Sequence, residues 1–583
     1  MAITPTGDSL LAVDFGSTTT RVALFDVVDG EYRFVAAGGA PTTAEPPYLN
    51  VVEGLRHAVE NLRAVTGRVL MDDTDKVIMP ARGDGGGVDA FVATASAGQP
   101  LKTVIMGLLP DVSVESALRA AQSTYLRVSE VFGLGDRRRE EQQVDAILKT
   151  QPDLVIIAGG TEGGAVEAVM RLAETVGLAC ELLDERHRPR VLFAGNAALR
   201  DDVSKTLKPY NVEVHPALNL RPSLDVEQID SARHELAALY QAQRAATIGG
   251  MGEVALWGGG ITPTSTAFGR LIRYLSKSYD SSKGALGVDL GSAHTTVAAA
   301  FNGRLSLYTQ PDLGMGYNAH NVLDDAPIEH LARWLPVDMP DRAVRDYVLN
   351  KTLHPNTIPQ DVNELHLEHA LARQVLREAL RKARPAWPAS ARSARADLLP
   401  WFEPIVAAGG VLAGAPRPAH AALVLLDALQ PTGITTLLLD ANGIAAALGA
   451  ASPVNSLVTI QVTDSGALLN LGPVVAPVGL ARAGQTVLRI KMSYAGGDTV
   501  NSDIAFGSIQ VLPLSAAQTA TINLQPLRGF DVGRGPGRPA VLRDVEGGAV
   551  GLIVDARGRP LILSKRPDKR REANQKWLWE MGG

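Results

Sequence analysis

The chain has 583 residues, of which 46% are hydrophobic and only 5% aromatic, and its formal net charge is -6. At roughly 150 residues per domain, this length predicts about four domain-sized units, whose cores must be built mainly from aliphatic side chains. The acidic balance argues against constitutive binding of nucleic acid, which usually requires a strongly basic surface.

A single cysteine and the shortness of the apolar runs narrow the class of protein further. Because Cys180 is the only cysteine, intramolecular disulfides and cysteine-rich metal sites are excluded. Residues 1–10 lack the basic region of a signal peptide, and no uncharged apolar run reaches about 18 residues. We therefore expect a cytoplasmic protein that binds neither nucleic acid nor a membrane.

The first part of the chain predicts strands that alternate with helices. Short apolar strands at 10–13 and 22–25 flank a polar turn, whereas 153–160 and 191–194 have the composition of buried strands, each followed by a helix. This alternation predicts βαβ units and a parallel sheet. The glycine-dense segment 249–260 predicts a loop or hinge near a domain boundary.

The second part begins with another strand–turn–strand pattern at residue 287. A helical stretch follows from about residue 326 to 384, and a strand that ends in two glycines lies at 405–410. After about residue 452 the sequence has β-branched runs with frequent glycine and proline, which predicts a separate β-rich domain. A charged, helix-like segment ends the chain.

Two segments share one unusual pattern. Asp14–Arg21 (DFGSTTTR) and Asp289–Thr296 (DLGSAHTT) each follow a buried strand and read Asp-apolar-Gly-Ser-x-x-Thr, and they begin 275 residues apart. An isolated hairpin of this kind is usually an ordinary turn, but a nucleoside triphosphate needs such a phosphate-binding loop twice. Glycine lets the backbone approach an anion closely, and the following N–H groups can point at phosphate oxygens. The candidate phosphate-binding residues are Gly16, Ser17, Thr18, Thr19, Gly291, Ser292, Ala293 and His294.

The aspartates and a third segment complete the predicted nucleotide site. Asp14 and Asp289 stand at strand ends, where they can hold Mg²⁺ and take part in catalysis by neutralising charge on a transferred phosphoryl group. The strand that ends at Gly409 and Gly410 provides a turn against which adenosine can lie. His294 occupies a place where small residues are more usual, so it either contacts a phosphate or fills space. These features predict ATP and Mg²⁺ as cofactors.

The order of these three segments resembles the signature of the actin–Hsp70–sugar kinase superfamily. A closer resemblance is to the MutL/GlmL family associated with glutamate mutase, and it covers roughly residues 8–450. The DNA mismatch-repair protein that shares the MutL name has a different ATP-binding fold. The family resemblance implies a protein that assists adenosylcobalamin-dependent mutases. The segments that carry it are 92–117, 153–164 (DLVIIAGGTEGG), 191–197 (VLFAGNA) and 422–440.

Together these observations predict an α/β fold, a two-lobed actin-like ATPase with ribonuclease H-like βαβ lobes and an added β-rich C-terminal domain. The predicted divisions are a first lobe at 8–248 with a βαβ insertion at about 153–214, a connection at 249–286, a second lobe at 287–452, a β-rich domain at 453–565 and a charged tail at 566–583.

Three functions fit this fold. The leading one is an ATP-dependent chaperone or reactivating factor for an adenosylcobalamin-dependent mutase, with 153–214 favoured over the β-rich domain as the surface that contacts the mutase. The alternatives are a small-molecule kinase and an interaction module that binds nucleotide without turnover. No catalytic base can be assigned from the sequence.

Overall fold

The structure is a computed structural model, and it describes residues 8–388, 391, 395 and 397–582. The strands of this part of the chain form four sheets. Two sheets carry the two predicted hairpins, a third is inserted into the first lobe, and a fourth lies near the C-terminus. The predicted two-lobed α/β fold is confirmed.

The first lobe is built on a sheet of five strands in the order β10-β4-β1-β2-β3. Strands β1 to β3 form an antiparallel meander, whereas β4 and β10 run parallel to β1. Helix α1 begins at Asn50, whose side chain accepts a hydrogen bond from the backbone N–H of Val52, and it ends at Gly67 with φ 72°. The elements before the insertion are β1 (Ser9–Phe15), β2 (Thr19–Val28), β3 (Glu31–Pro41), α1 (Val51–Thr66) and β4 (Ala90–Ala95).

The inserted domain is a parallel sheet of five strands in the order β6-β5-β7-β8-β9, with helices on both faces. Its central strands are continuous apolar runs because both faces are covered. The domain starts at Leu101, well before the predicted 153–214, because a parallel strand carries no sequence mark of the sheet it joins. Its elements are β5 (Leu101–Gly107), α2 (Glu115–Ala121), β6 (Leu126–Phe132), α3 (Glu140–Thr150), β7 (Leu154–Ala158), α4 (Val166–Leu182), β8 (Arg190–Phe193), α5 (Arg200–Leu207), β9 (Val214–Pro216) and α6 (Asp230–Thr247).

The chain then returns to the first lobe through α7 (Met251–Trp257), β10 (Ile261–Pro263) and α8 (Thr264–Ser278). The glycine-dense segment 249–260, predicted as a loop or hinge near a domain boundary, directly follows the inserted domain and contains the short helix α7. Gly249 and Gly250 precede α7, Gly258 to Gly260 follow it, and Gly252 lies within it. Met251 and Val254 of that helix are buried in the first lobe's core.

The second lobe repeats the arrangement of the first. Strand β11 pairs with β12 antiparallel and with β14 parallel, so that Asp289 occupies the place that Asp14 has in β1. The elements are β11 (Gly284–Leu290), β12 (Thr295–Phe301), β13 (Arg304–Gln310), α9 (Asn321–Asp325), α10 (Glu329–Ala332), α11 (Asp341–Leu353), α12 (Val362–Ala383), β14 (Phe402–Ala408), α13 (Gly410–Ala413), α14 (Pro418–Leu429), β15 (Gly433–Leu439), α15 (Ala445–Ala451), α16 (Ser456–Asp464) and β16 (Leu469–Ala476).

The two lobes meet where α15 packs on α8. A Cβ atom at Gly449 would lie 1.8 Å from the carbonyl oxygen of Ala267, so only glycine permits this close approach of the helices. The connection from the first lobe to the second passes through α8.

The C-terminal region is β-rich, as the sequence predicted, but part of it joins the second lobe. Strands β16, β22 and β19 extend the second lobe's sheet to eight strands, and β18-β17-β20-β21 form a sheet of their own. Alternation in the sequence indicates a strand but not the edge with which it pairs. The elements are β17 (Thr486–Tyr494), β18 (Thr499–Ala505), β19 (Ile509–Leu512), β20 (Thr519–Pro526), β21 (Ala540–Glu546), β22 (Leu552–Asp555) and α17 (Pro567–Glu580).

The charged tail folds as helix α17 and lies on the second lobe. The Asn574 side chain donates hydrogen bonds to the carbonyls of Arg333 and Leu335, and the Trp577 indole lies under the Arg557 guanidinium. Gly583 lies outside the described residues. None of the described helices combines the length and apolarity needed to cross a membrane.

Candidate functional site

A cavity of about 610 Å³ lies between the two lobes, a volume in the range of small-molecule sites. It brings together residues from both hairpins and from the Gly-Gly turn. Ala293 lies beside the cavity without lining it, and its carbonyl accepts a hydrogen bond from the Asn318 side chain at 2.8 Å. The other predicted site residues line it: Asp14, Gly16, Ser17, Thr18, Thr19, Asp289, Gly291, Ser292, His294, Gly409 and Gly410.

The two hairpins have the same turn geometry. The N–H of Gly16 donates to the carbonyl of Thr19 at 3.1 Å, and the N–H of Gly291 donates to the carbonyl of His294 at 3.0 Å. A Cβ atom at either glycine would lie 2.7 Å from that same carbonyl oxygen. Glycine is therefore required at both positions for the same steric reason, and the shared motif produces a shared local structure.

The carboxylate of Asp14 is held by two threonines that the sequence did not single out. Its Oδ1 accepts hydrogen bonds from the hydroxyls of Thr94 at 2.6 Å and Thr264 at 2.7 Å. Thr94 is the register partner of Asp14 on β4, and Thr264 begins α8. These contacts fix the orientation of the carboxylate at the cavity wall.

Asp289 has a different electrostatic environment. Burial, followed by repulsion from Asp14 and Asp440, raises its pKa to about 7, although the Arg21 guanidinium acts in the opposite direction. A divalent cation beside Asp14 and Asp289 would oppose that rise, because it favours the charged carboxylates. Two carboxylates at neighbouring strand ends are suitable ligands for Mg²⁺.

Asp440 is a third carboxylate that the sequence analysis missed. It follows β15, it is buried, and it accepts hydrogen bonds from the backbone N–H groups of Ile444 and Ala445, both at 2.8 Å. An aspartate directly after the buried strand 433–439 repeats the placement of Asp14 and Asp289, and this repetition is the signal that would have identified it.

Ser292 provides a test of whether the hairpins suit a triphosphate. Its Oγ is buried and has no hydrogen-bond partner within the described residues, and the residue lines the cavity. An unpaired buried hydroxyl costs about 1–3 kcal/mol. An anionic oxygen in the cavity would remove that cost, so the residues present fit a phosphate group.

The other end of the cavity combines an ion pair with apolar side chains. Lys351 and Glu368 form a buried ion pair at 2.6 Å, and Ile358 and Val362 also line this end. The turn at Gly409 has φ 114°, and a Cβ atom there would lie 2.2 Å from the carbonyl oxygen of Leu290, so this turn lies directly against the second hairpin. This end suits a flat, largely apolar group beside the phosphate cradle.

His294 links the second hairpin to the first lobe. Its Nδ1 lies 2.8 Å from the carbonyl of Pro311, and its Nε2 lies 3.2 Å from the carbonyl of Ser96. Burial lowers the pKa of this histidine to about 4, so the ring is neutral at pH 7 and donates to one carbonyl at a time. Of the two roles left open by the sequence, the contacts favour packing over phosphate binding.

The floor of the cavity is also where the inserted domain is attached. Ser96, which lies just before the insertion, lines the cavity together with Thr264 at the start of α8. Tyr125, which precedes β6, has its ring 4.7 Å from His294, and its hydroxyl accepts a hydrogen bond from the N–H of Ser265 at 3.0 Å. Arg127 of β6 donates to Asp312 of the second lobe at 2.7 Å. The amino ends of the inserted strands therefore contact both lobes at the cavity.

The match to a family model now places this architecture among known proteins. The model described as MutL protein matches residues 10–466. The chain belongs to the MutL protein family. Protein MutL of Clostridium tetanomorphum is 24% identical over 384 residues, which is 63% of this chain and 76% of that protein. The resemblance found in the sequence is confirmed.

Three solved structures were found to be similar to this chain, all with low TM-scores. Nucleotide-free acetone carboxylase has a TM-score of 0.34 at 13% identity, over 85% of this chain and 81% of its own. EutJ, an ethanolamine utilization protein from Carboxydothermus hydrogenoformans, has a TM-score of 0.26 at 9% identity, over 77% and 91%. Xylulose kinase from Bifidobacterium adolescentis has a TM-score of 0.29 at 14% identity, over 77% and 93%.

Proposed function

We propose that this protein binds and hydrolyses Mg-ATP in the cavity between its lobes, and that it uses this cycle to reactivate an adenosylcobalamin-dependent mutase. The observation that carries the proposal is the meeting of three features in one cavity. These are the twin hairpins with Asp14 and Asp289, the buried Ser292 hydroxyl that has no partner among the described residues, and the attachment of the inserted domain through Ser96 and Tyr125.

The residues that line the cavity would have three roles in binding Mg-ATP. Asp14 and Asp289 would hold Mg²⁺, which when bound supplies positive charge beside the phosphates. The backbone N–H groups and hydroxyls of the two hairpins would bind phosphate oxygens. The turn at 409–410 and the apolar end of the cavity would hold the adenosine.

The attachment of the inserted domain provides a route from nucleotide to partner. A nucleotide that contacts both hairpins binds a closed cleft more tightly than an open one, and so it favours closure. Because His294 contacts both Ser96 and Tyr125, closure would change the position of the inserted domain relative to the second lobe. The choice of a mutase as partner follows from the resemblance to the glutamate mutase-associated family.

Steady-state ATP turnover tests this function. We expect slow hydrolysis by the protein alone and faster release of ADP in the presence of a mutase from the same organism that has lost its adenosyl group. Asp289→Asn should abolish the stimulated rate while the melting profile shows a folded protein. A phosphorylated small molecule as product would instead indicate a kinase, and bound ATP without turnover would indicate an interaction module.

A further inference from the structure

The carboxyl ends of the inserted sheet form an exposed apolar surface. Because the five strands are parallel, the loops that follow them lie along one edge. Six large apolar side chains on these loops are between 45% and 63% exposed, and they are Leu109, Leu134, Val166, Leu218, Leu224 and Val226. Exposed large apolar side chains grouped at one edge are typical of interaction sites.

Hydrogen bonds between these loops show that they form one surface. The N–H of Leu134 donates to the carbonyl of Leu108 at 2.9 Å, which joins the loops after β5 and β6. The N–H of Glu162 donates to the carbonyl of Pro222 at 3.0 Å, which joins the loops after β7 and β9. Arg221 donates to the hydroxyl of Ser116 at 2.7 Å and so ties the loop after β9 to α2.

This surface points away from the nucleotide cavity. The amino ends of the strands contact the cavity floor through Tyr125 and Arg127, and a strand of seven residues spans roughly 20 Å. The apolar edge is therefore the distal end of a domain whose other end is attached at the nucleotide site. A partner bound there would not block the cavity and would move with the domain.

The rim of the surface is acidic. Arg137 and Arg139 are the exposed basic residues of loops 108–115, 133–140, 159–167, 194–201 and 217–229. The exposed carboxylates of these loops outnumber them and include Asp111, Glu162, Glu167, Asp201 and Asp225. Opposite charges on two surfaces favour their association and fix their orientation.

We infer that this distal edge is the docking surface for a folded protein whose own patch is apolar with a basic rim. The inference rests on the proposed function, under which that protein is the mutase. It locates the docking surface on loops of the whole inserted domain, including those after β5 and β6.

The test compares two sets of exposed leucines. Leu109→Ser/Leu134→Ser/Leu224→Ser removes apolar contacts at the distal edge, and the control Leu256→Ser/Leu480→Ser makes the same change at 85% and 77% exposed leucines elsewhere. The inactivated mutase is titrated against each variant in ATP and in ADP. We expect the distal variant to lose about tenfold or more in affinity and the control to change less than about twofold.

Three further measurements keep the result interpretable. Asp225→Lys should weaken binding of the mutase, and added salt should weaken binding to the wild type, because rim charges are screened. Calorimetry with Mg-ATP should give the same affinity for every variant.

If the triple leucine variant and Asp225→Lys both bind the mutase with wild-type affinity, the docking surface alone is overturned. A mutase that binds the wild type in neither nucleotide state would overturn the reactivase function together with this surface, whatever the ATP affinity.

Discussion

The two phosphate hairpins have the same motif and the same turn, yet their aspartates lie in different surroundings. The carboxylate of Asp14 accepts two threonine hydroxyls, whereas Asp289 has a pKa raised to about 7 by burial and by two neighbouring carboxylates. On the antiparallel neighbour strand, Asp14 is paired with Arg21 of β2, whereas Asp289 is paired with Thr296 of β12. The duplicated motif thus places one oriented carboxylate beside one that can gain or lose a proton near neutral pH.

The largest expected effect comes from removing the charge of Asp289 in the nucleotide-free protein. Its folded pKa lies above the ordinary aspartate value of 3.8, so the stability it contributes is present below about pH 4 and is lost as pH rises to about 7. Asp289→Asn should therefore raise the free energy of unfolding by about 2–4 kcal/mol at pH 8 and by less at pH 5. Denaturation at the two pH values, without Mg²⁺, measures this difference.

Asp14→Asn is the matched control for that prediction. An asparagine oxygen can still accept the hydroxyls of Thr94 and Thr264, but the variant keeps the buried carboxyl of Asp289. We expect a smaller gain at pH 8 than for Asp289→Asn. Equal gains in the two variants would mean that the hairpins do not differ in the way described.

The next largest effect concerns the glycine that both hairpins require. Gly16→Ala and Gly291→Ala each place a Cβ atom 2.7 Å from a backbone carbonyl oxygen, so each turn must open. Displacing the N–H groups that face the phosphates should lower Mg-ATP affinity by about tenfold to a hundredfold in both variants. Calorimetry checks this, and Gly83→Ala, which has open space at its Cβ position and no left-handed backbone conformation, is the control. A large loss in only one hairpin would contradict their equivalence.

The smallest effect concerns the hydroxyl of Ser292 in the second hairpin. Ser292 Oγ has no partner among the described residues, so Ser292→Ala should leave the melting temperature of the free protein unchanged or slightly higher. The same change should reduce Mg-ATP affinity by about fivefold, the effect of one lost hydrogen bond. Thermal melts with and without Mg-ATP measure both quantities. A destabilised free protein would show that the hydroxyl has a structural partner.

The sequence predicted the parts of the site that depend on local structure. A glycine turn after a strand is determined by a few adjacent residues, so both hairpins and the turn at 409–410 could be located. Thr94, Thr264 and the Lys351–Glu368 pair could not, because they reach the cavity through pairings between distant segments. The extent of the inserted domain was misjudged for the same reason, since nothing in residues 101–107 indicates which sheet they join.

The central claim is that both hairpins hold one Mg-ATP between the lobes, and calorimetric titration of Mg-ATP tests it most directly. The wild type should bind one ATP per chain with an affinity that falls when EDTA removes Mg²⁺. Asp14→Ala and Asp289→Ala should each lose that dependence on Mg²⁺ and bind at least about tenfold more weakly. Unchanged Mg-ATP affinity in both variants, with melting profiles of folded proteins, would contradict the account.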